Sequence, residues 1–107
     1  MNYEVFIIDD AEEDLYETYN YVAIHDLPGR AEKLLDNLEK TCYSLSTLPH
    51  RGHIPPELER IGVFEYKEIH YKPYRIIYQI VETTVYVHCI LDGRRNLQQL
   101  LQERLLR

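Results

Sequence analysis

The chain has no tryptophan, one methionine, two cysteines and four glycines among its 107 residues. Two thiols cannot build the disulfide framework on which many small secreted domains depend. Cys42 continues the helical spacing of Leu34, Leu35 and Leu38, and Cys89 lies inside a β-rich run, so both read as small buried hydrophobes rather than as a disulfide pair or a nucleophile. No run of 18 apolar residues occurs, which excludes a membrane-spanning helix by pattern. Residues 1–4 lack the basic start and apolar stretch of a signal peptide, so a cytoplasmic protein is expected. Internal repeats and low-complexity stretches are absent as well. The length suits one hydrophobic core, and a single domain over residues 1–107 is the expectation.

What is present is unevenly placed. Residues 1–48 carry 11 acidic and 3 basic side chains, a balance of −8, whereas residues 49–107 carry 7 acidic and 9 basic, a balance of +2. The acidity centres on Asp9, Asp10, Glu12, Glu13, Asp14 and Glu17, at the start of a predicted helix, where carboxylates match the positive end of the helix dipole. That reads as a solvated face. The ten tyrosines offer aromatic surface with polar tips, which suits a binding face and half-buried strands equally.

Hydrophobic periodicity predicts the element order. Tyr3 to Ile8 is a short apolar run that reads as a buried strand, and Asp9 or Asp10 then caps a helix to about Ala23 with Ala11, Leu15, Tyr19 and Val22 on its inner face. A break at His25-Asp26-Leu27 precedes Pro28, which belongs in the first turn of a second helix whose apolar stripe is Ala31, Leu34, Leu35, Leu38, Cys42 and Leu45. So short a link makes the two helices an antiparallel hairpin. From Ser46 to Gly62, prolines and glycines break the pattern, and an ordered loop is expected. Three β runs follow, Val63 to about His70, Tyr74 to Val81 and Thr84 to Leu91, joined so closely that they must form antiparallel hairpins. Leu97, Leu100, Leu101, Leu105 and Leu106 close the chain as an amphipathic helix. The order βααβββα predicts an α+β fold: a helical hairpin on one face of a small, mainly antiparallel four-stranded sheet, with the opposite face partly open.

Chemistry concentrates in the second half. In the strand from Tyr74 to Val81, Tyr74, Ile76, Tyr78 and Ile80 share one face, while Arg75, Ile77, Gln79 and Val81 share the other. A guanidinium cannot shed its proton and is costly to bury unpaired, so Arg75 must reach water, a carboxylate or an anionic ligand. Glu68 is its natural carboxylate partner if the register brings Tyr66, Glu68 and His70 to the same face, which sequence leaves open. Arg94 and Arg95 arrive at a turn after the last strand, so three fixed cations converge at one sheet edge, a candidate site for phosphate or carboxylate groups. Two adjacent cations before a helix crowd the positive end of its dipole, and an anionic partner explains them better than helix stability does. Asp92 and Glu103 are the alternatives for satisfying one of them.

No metal and no cofactor is expected. His50-x-x-His53 could begin a metal site, but no cysteine or carboxylate at matching spacing completes it. Gly93 is a lone turn glycine rather than a phosphate-cradling loop, and no hydroxyl or thiol has an identifiable base beside it.

Several of these elements together resemble the RelE/ParE toxin superfamily of type II toxin–antitoxin systems. They are the strand-helix-helix order, the loop Leu48-Pro49-His50-Arg51-Gly52 with Pro56-Glu57-Leu58, and the strand Lys67-Glu68-Ile69. The block Tyr74-Arg75-Ile76-Ile77-Tyr78 and the ending Asp92-Gly93-Arg94-Arg95 with Leu97, Leu100, Leu101, Arg104 and Leu105 complete the set. The resemblance implies a toxin held inactive by a cognate antitoxin, with either of two targets. RelE-like members cut messenger RNA in the ribosomal A site without metal, using clustered basic residues as acid, base and charge stabilisers. ParE-like members poison DNA gyrase by binding.

Arg75 and Arg95 match two arginines of the RelE-like site, and His70 can act as acid or base near neutral pH, which makes His70, Arg75 and Arg95 the catalytic candidates. The lysine pair on the preceding strand is replaced by Glu68 and His70, however, and the C-terminal tyrosine position holds Leu101. Lys67-Glu68-Ile69, Gly93-Arg94-Arg95-Asn96, the missing lysine cluster and the acidic chain all favour the ParE-like branch. Arg51, Arg75, Arg94 and Arg95 are then the target-binding candidates, and Tyr16, Tyr19 and Tyr21 the antitoxin-binding ones. The alternatives are a ribosome-dependent nuclease and an inactivated toxin acting only as a binding module.

Overall fold

The computed structural model describes residues 2–106. Its order is β1 (Glu4–Ile7), α1 (Asp9–His25), α2 (Pro28–Tyr43), α3 (Pro56–Glu59), β2 (Tyr66–Tyr71), β3 (Tyr74–Val81), β4 (Thr84–Asp92) and α4 (Gln98–Leu105), with short 3-10 turns at Ser44–Ser46 and Pro49–Arg51. The α+β architecture is the one expected. Strands run in the order β1-β4-β3-β2. The hairpins β2–β3 and β3–β4 are antiparallel, while β1 lies parallel to β4. No helix among the described residues is long and apolar enough to cross a membrane.

Apolar residues point to both faces of the sheet, so both faces must be covered. On one face Ile76, Tyr78, Val85, Val87 and Ile90 meet Ala11 and Leu15 of α1 and Leu38 and Cys42 of α2. On the other, Ile77, Cys89, Leu91 and Tyr66 meet Leu58 of α3 and Leu97 and Leu101 of α4. The second face is therefore covered, where a partly open one was expected, because the loop and the last helix fold over it. The two cysteines are buried and free, one in each core, and burial pushes both thiols up to about 12.

A bulge lets one strand serve both cores. Ile77 pairs with Cys89 but Tyr78 pairs with Val87, which leaves His88 as an extra residue in β4. The extra residue shifts the alternation, so Val85, Val87 and Ile90 share a face and Cys89 and Leu91 take the other.

Several boundaries differ from expectation. Ile8, not Asp9 or Asp10, precedes the first turn of α1; Asp9, Asp10 and Glu12 lie within that turn and act on the helix dipole instead. The loop holds α3 and two 3-10 turns, and β2 starts at Tyr66, after Val63, which packs against the second core. Helix α4 is eight residues long with Leu97 at its N-cap position. The Asn96 side chain accepts the Gln98 N–H at 3.2 Å, so Arg94 and Arg95 lie outside the first turn and do not crowd its dipole.

Candidate functional site

The register of β2 against β3 places His70 opposite Arg75 and Glu68 opposite Ile77. Directly paired residues point to the same face, so Tyr66, Glu68 and His70 do share a face with Arg75. Glu68 takes Arg75 Nε at 2.6 Å and Nη2 at 3.0 Å. A second carboxylate, which sequence spacing did not reveal, comes from α3: Glu57 takes Nη1 at 2.6 Å and Nη2 at 2.7 Å. The Arg75 side chain is 13% exposed and that of Glu68 is 1% exposed. The hydrogen bonds from Arg75 hold the Glu57 carboxyl below its ordinary value, and those same bonds raise the guanidinium further. Four charge-assisted bonds in a nearly dry setting make Arg75 a tie between α3, β2 and β3.

Two histidines flank this cluster. His70 Nε2 lies 3.0 Å from Glu68 Oε1, and His53 Nε2 lies 3.2 Å from Glu68 Oε2. Their rings meet edge to face at 5.3 Å. His53 is brought there by backbone pairing across the loop: its N–H donates to Glu68 O at 3.2 Å, and the Glu68 N–H donates back at 2.7 Å. Gly52 makes this approach possible, because a Cβ there would lie 2.6 Å from Glu68 O and clash with the Tyr78 hydroxyl. The Tyr78 hydroxyl in turn donates to Pro49 O at 2.6 Å. His50, set aside in the sequence as a possible metal-site companion of His53, sits against Tyr3, with ring centroids 6.1 Å apart.

The other arginines separate. Arg51 donates to the carbonyls of Ser44, Thr47 and Leu48 and to the Ser44 hydroxyl, closing the turns after α2. Arg94 grips Asp92 through Nε at 3.0 Å and Nη2 at 2.7 Å, which lowers the Asp92 carboxyl. Among the described residues, no acceptor lies within hydrogen-bond reach of the exposed Arg95 guanidinium. It lines a hollow with Asp14, Glu17, Tyr21, Tyr74 and Asp92. The catalytic candidates are therefore divided, with His70 and Arg75 in one cluster and Arg95 apart from them.

The tyrosines divide too. Tyr16 and Tyr19 line a groove between α1 and α2 with Leu15 and Leu35, and Glu12, Glu32 and Glu39 form its rim. Tyr21 stacks on His25 at 4.3 Å and faces the Arg95 hollow instead. Leu101 is fully buried in the second core. Asp14, assigned by sequence to the solvated acidic face, is buried and paired with Arg104. Its position three residues after Ala11 and one before Leu15 is the signal that places it on the inner face.

Residues 5–97 match the family described as ParE toxin of type II toxin-antitoxin system, parDE. The fold is similar to that of a chain in the chromosomal ParDE system from P. aeruginosa, with a TM-score of 0.69 and 14% identity over 82% of this chain and 92% of that one. It is similar also to a chain in the toxin–antitoxin complex RelBE2 from Mycobacterium tuberculosis, with a TM-score of 0.63 and 23% identity over 86% of this chain and 92% of that one. No curated protein matches the chain in sequence.

Proposed function

We propose that this chain, which belongs to the ParE toxin family of type II toxin–antitoxin systems, acts in the cytoplasm by binding and poisoning DNA gyrase, and is held inactive by a cognate antitoxin. One observation carries the choice of binding over RNA cleavage. Arg75, the best-placed basic residue for stabilising phosphate charge, spends its donors on Glu57 and Glu68. A guanidinium already held by two carboxylates has little field left for a third anion. The buried Leu101 supplies no acid or base. Among the described residues no acceptor engages Arg95, but Glu17, Asp14 and Asp92 share its hollow. Such a setting disfavours a phosphate backbone and suits a protein target.

The groove of Leu15, Tyr16, Tyr19 and Leu35 is the proposed seat of the antitoxin. An antitoxin segment that orders on binding would bury this apolar floor. Tyr21, on the other side of α1, is proposed to extend that contact.

Purified protein should inhibit gyrase supercoiling or trap cleaved DNA while leaving ribosome-bound mRNA intact. Replacing Arg94 and Arg95 together by Ala should abolish growth inhibition with antitoxin binding and thermal stability nearly intact. Cuts at A-site codons that disappear in His70→Ala would instead assign a ribosome-dependent nuclease. Normal growth on expression without antitoxin would assign an inactive binding module.

A further inference from the structure

We propose that His53, Glu68 and His70 form a binding site for a divalent transition-metal ion of the Zn2+ type. Sequence spacing offered only His50 beside His53 and no completing ligand, but the fold supplies ligands from β2 instead. One ligand atom from each of the three residues lies within 4.8 Å of the others, and each imidazole Nε2 is 3.0 to 3.2 Å from a Glu68 oxygen. Tetrahedral zinc with metal–nitrogen bonds of about 2.0 Å sets neighbouring donors about 3.3 Å apart, close to the two histidine–Glu68 separations.

Charge favours the same conclusion. Glu57 and Glu68 carry two negative charges against the single positive charge of Arg75. One negative charge is left over beside a nearly fully buried carboxylate, and a cation between the imidazoles and Glu68 offsets it. Two imidazoles and a carboxylate, with no thiolate, suit zinc-like ions better than calcium or magnesium.

The ligands are also preorganised. Arg75 fixes the Glu68 carboxylate by donating to both of its oxygens, as an outer-shell partner does in metal sites. The backbone bridge between residues 53 and 68 fixes the loop that carries His53, and pairing with β3 fixes His70. Binding exchanges two imidazole contacts to Glu68 for two nitrogen–metal bonds. The His53 and His70 side chains are 61% and 41% exposed, so the remaining coordination position opens to water. The ion would clip the loop before α3 to the edge of the sheet. This inference is independent of which target the toxin attacks.

The test is calorimetric titration of the full-length chain with ZnCl2, together with the visible spectrum on adding CoCl2. One equivalent should bind, with the absorption of low-coordinate Co2+. His53→Ala and His70→Ala should each weaken binding by at least about 100-fold, the upper end of what loss of an outer-shell partner costs. His50→Ala should leave binding unchanged, and far-UV circular dichroism should show each variant folded. No saturable equivalent in the unsubstituted chain, or binding that survives His53→Ala and His70→Ala, would overturn the proposal.

Discussion

Asp14 in α1 and Arg104 in α4 form a two-pronged ion pair, with Nη1 to Oδ1 at 3.0 Å and Nη2 to Oδ2 at 2.9 Å. Both partners also serve the backbone of β4: Asp14 Oδ2 accepts the Ile90 N–H at 3.0 Å, and Arg104 Nη2 donates to His88 O at 2.9 Å. The pair thus satisfies two main-chain groups beside the bulge at His88 and joins the first helix to the last.

Removing one partner leaves the other buried and unpaired. Arg104→Ala should therefore lower stability by about 3–5 kcal/mol, and Asp14→Ala should do the same while also stranding the Ile90 N–H. Urea unfolding checks this. A loss below about 1 kcal/mol in both variants, the ordinary size for an exposed pair, would contradict the structural role.

Arg75→Ala removes the cation shared by Glu57 and the nearly fully buried Glu68, which keeps only its two histidine contacts, and should cost about 3–5 kcal/mol. Arg75→Lys should recover little of that, because one ammonium cannot reach two carboxylates with the forked geometry of a guanidinium. Thermal unfolding of the two variants side by side distinguishes this from a simple charge requirement, under which lysine would restore most of the loss.

Gly93 lies against the stem of Arg75: a Cβ at that position would stand 2.9 Å from Arg75 Cγ and Cδ and 2.9 Å from Pro73 O. Gly93→Ala should destabilise by about 1–3 kcal/mol through overpacking. Gly29, which has open space around its Cβ position, provides the control. Gly29→Ala should be neutral or stabilising because alanine favours the helix, and equal losses at the two positions would refute the packing argument.

Acid should weaken the fold in two stages. Burial lowers the His88 imidazole below its ordinary 6.5, and its Nε2 has no hydrogen-bond partner among the described residues. The unfolded chain then binds more protons there, so stability declines as the pH falls below 6.5. The Arg75 bonds hold Glu57 below 4.5, so its contribution is present above that value and is lost as the pH falls through its lower folded value. Chemical denaturation across this pH range should show Glu57→Gln less stable at neutrality and flatter in acid. An unchanged acid slope in that variant would rule out the linkage.

The resemblance read from the linear order of motifs led to the right family, since those motifs lie in sequence as they do in the fold. Arg51 shows the limit of that reading. It stands in one of the motifs, yet its guanidinium closes the turns after α2, because a side chain's partners are set by the local backbone path and not by its place in a motif.

The sequence by itself determined what depends on local period. Alternation in β3 separates Arg75 and Ile77 from Ile76 and Tyr78, the helical stripe with Leu38 buries Cys42, and proline and glycine mark where helices end. Tertiary structure decided everything that depends on distance through space. The β2–β3 register put Glu68 beneath Arg75, the fold of α3 added Glu57, and the loop bridge delivered His53 to Glu68. The bulge at His88 moved Ile90 onto the face of Val87 and opened the backbone groups that Asp14 and Arg104 satisfy. A two-residue alternation is a property of each strand alone, whereas register, bulges and buried ion pairs are set by the joint energy of elements far apart in the chain.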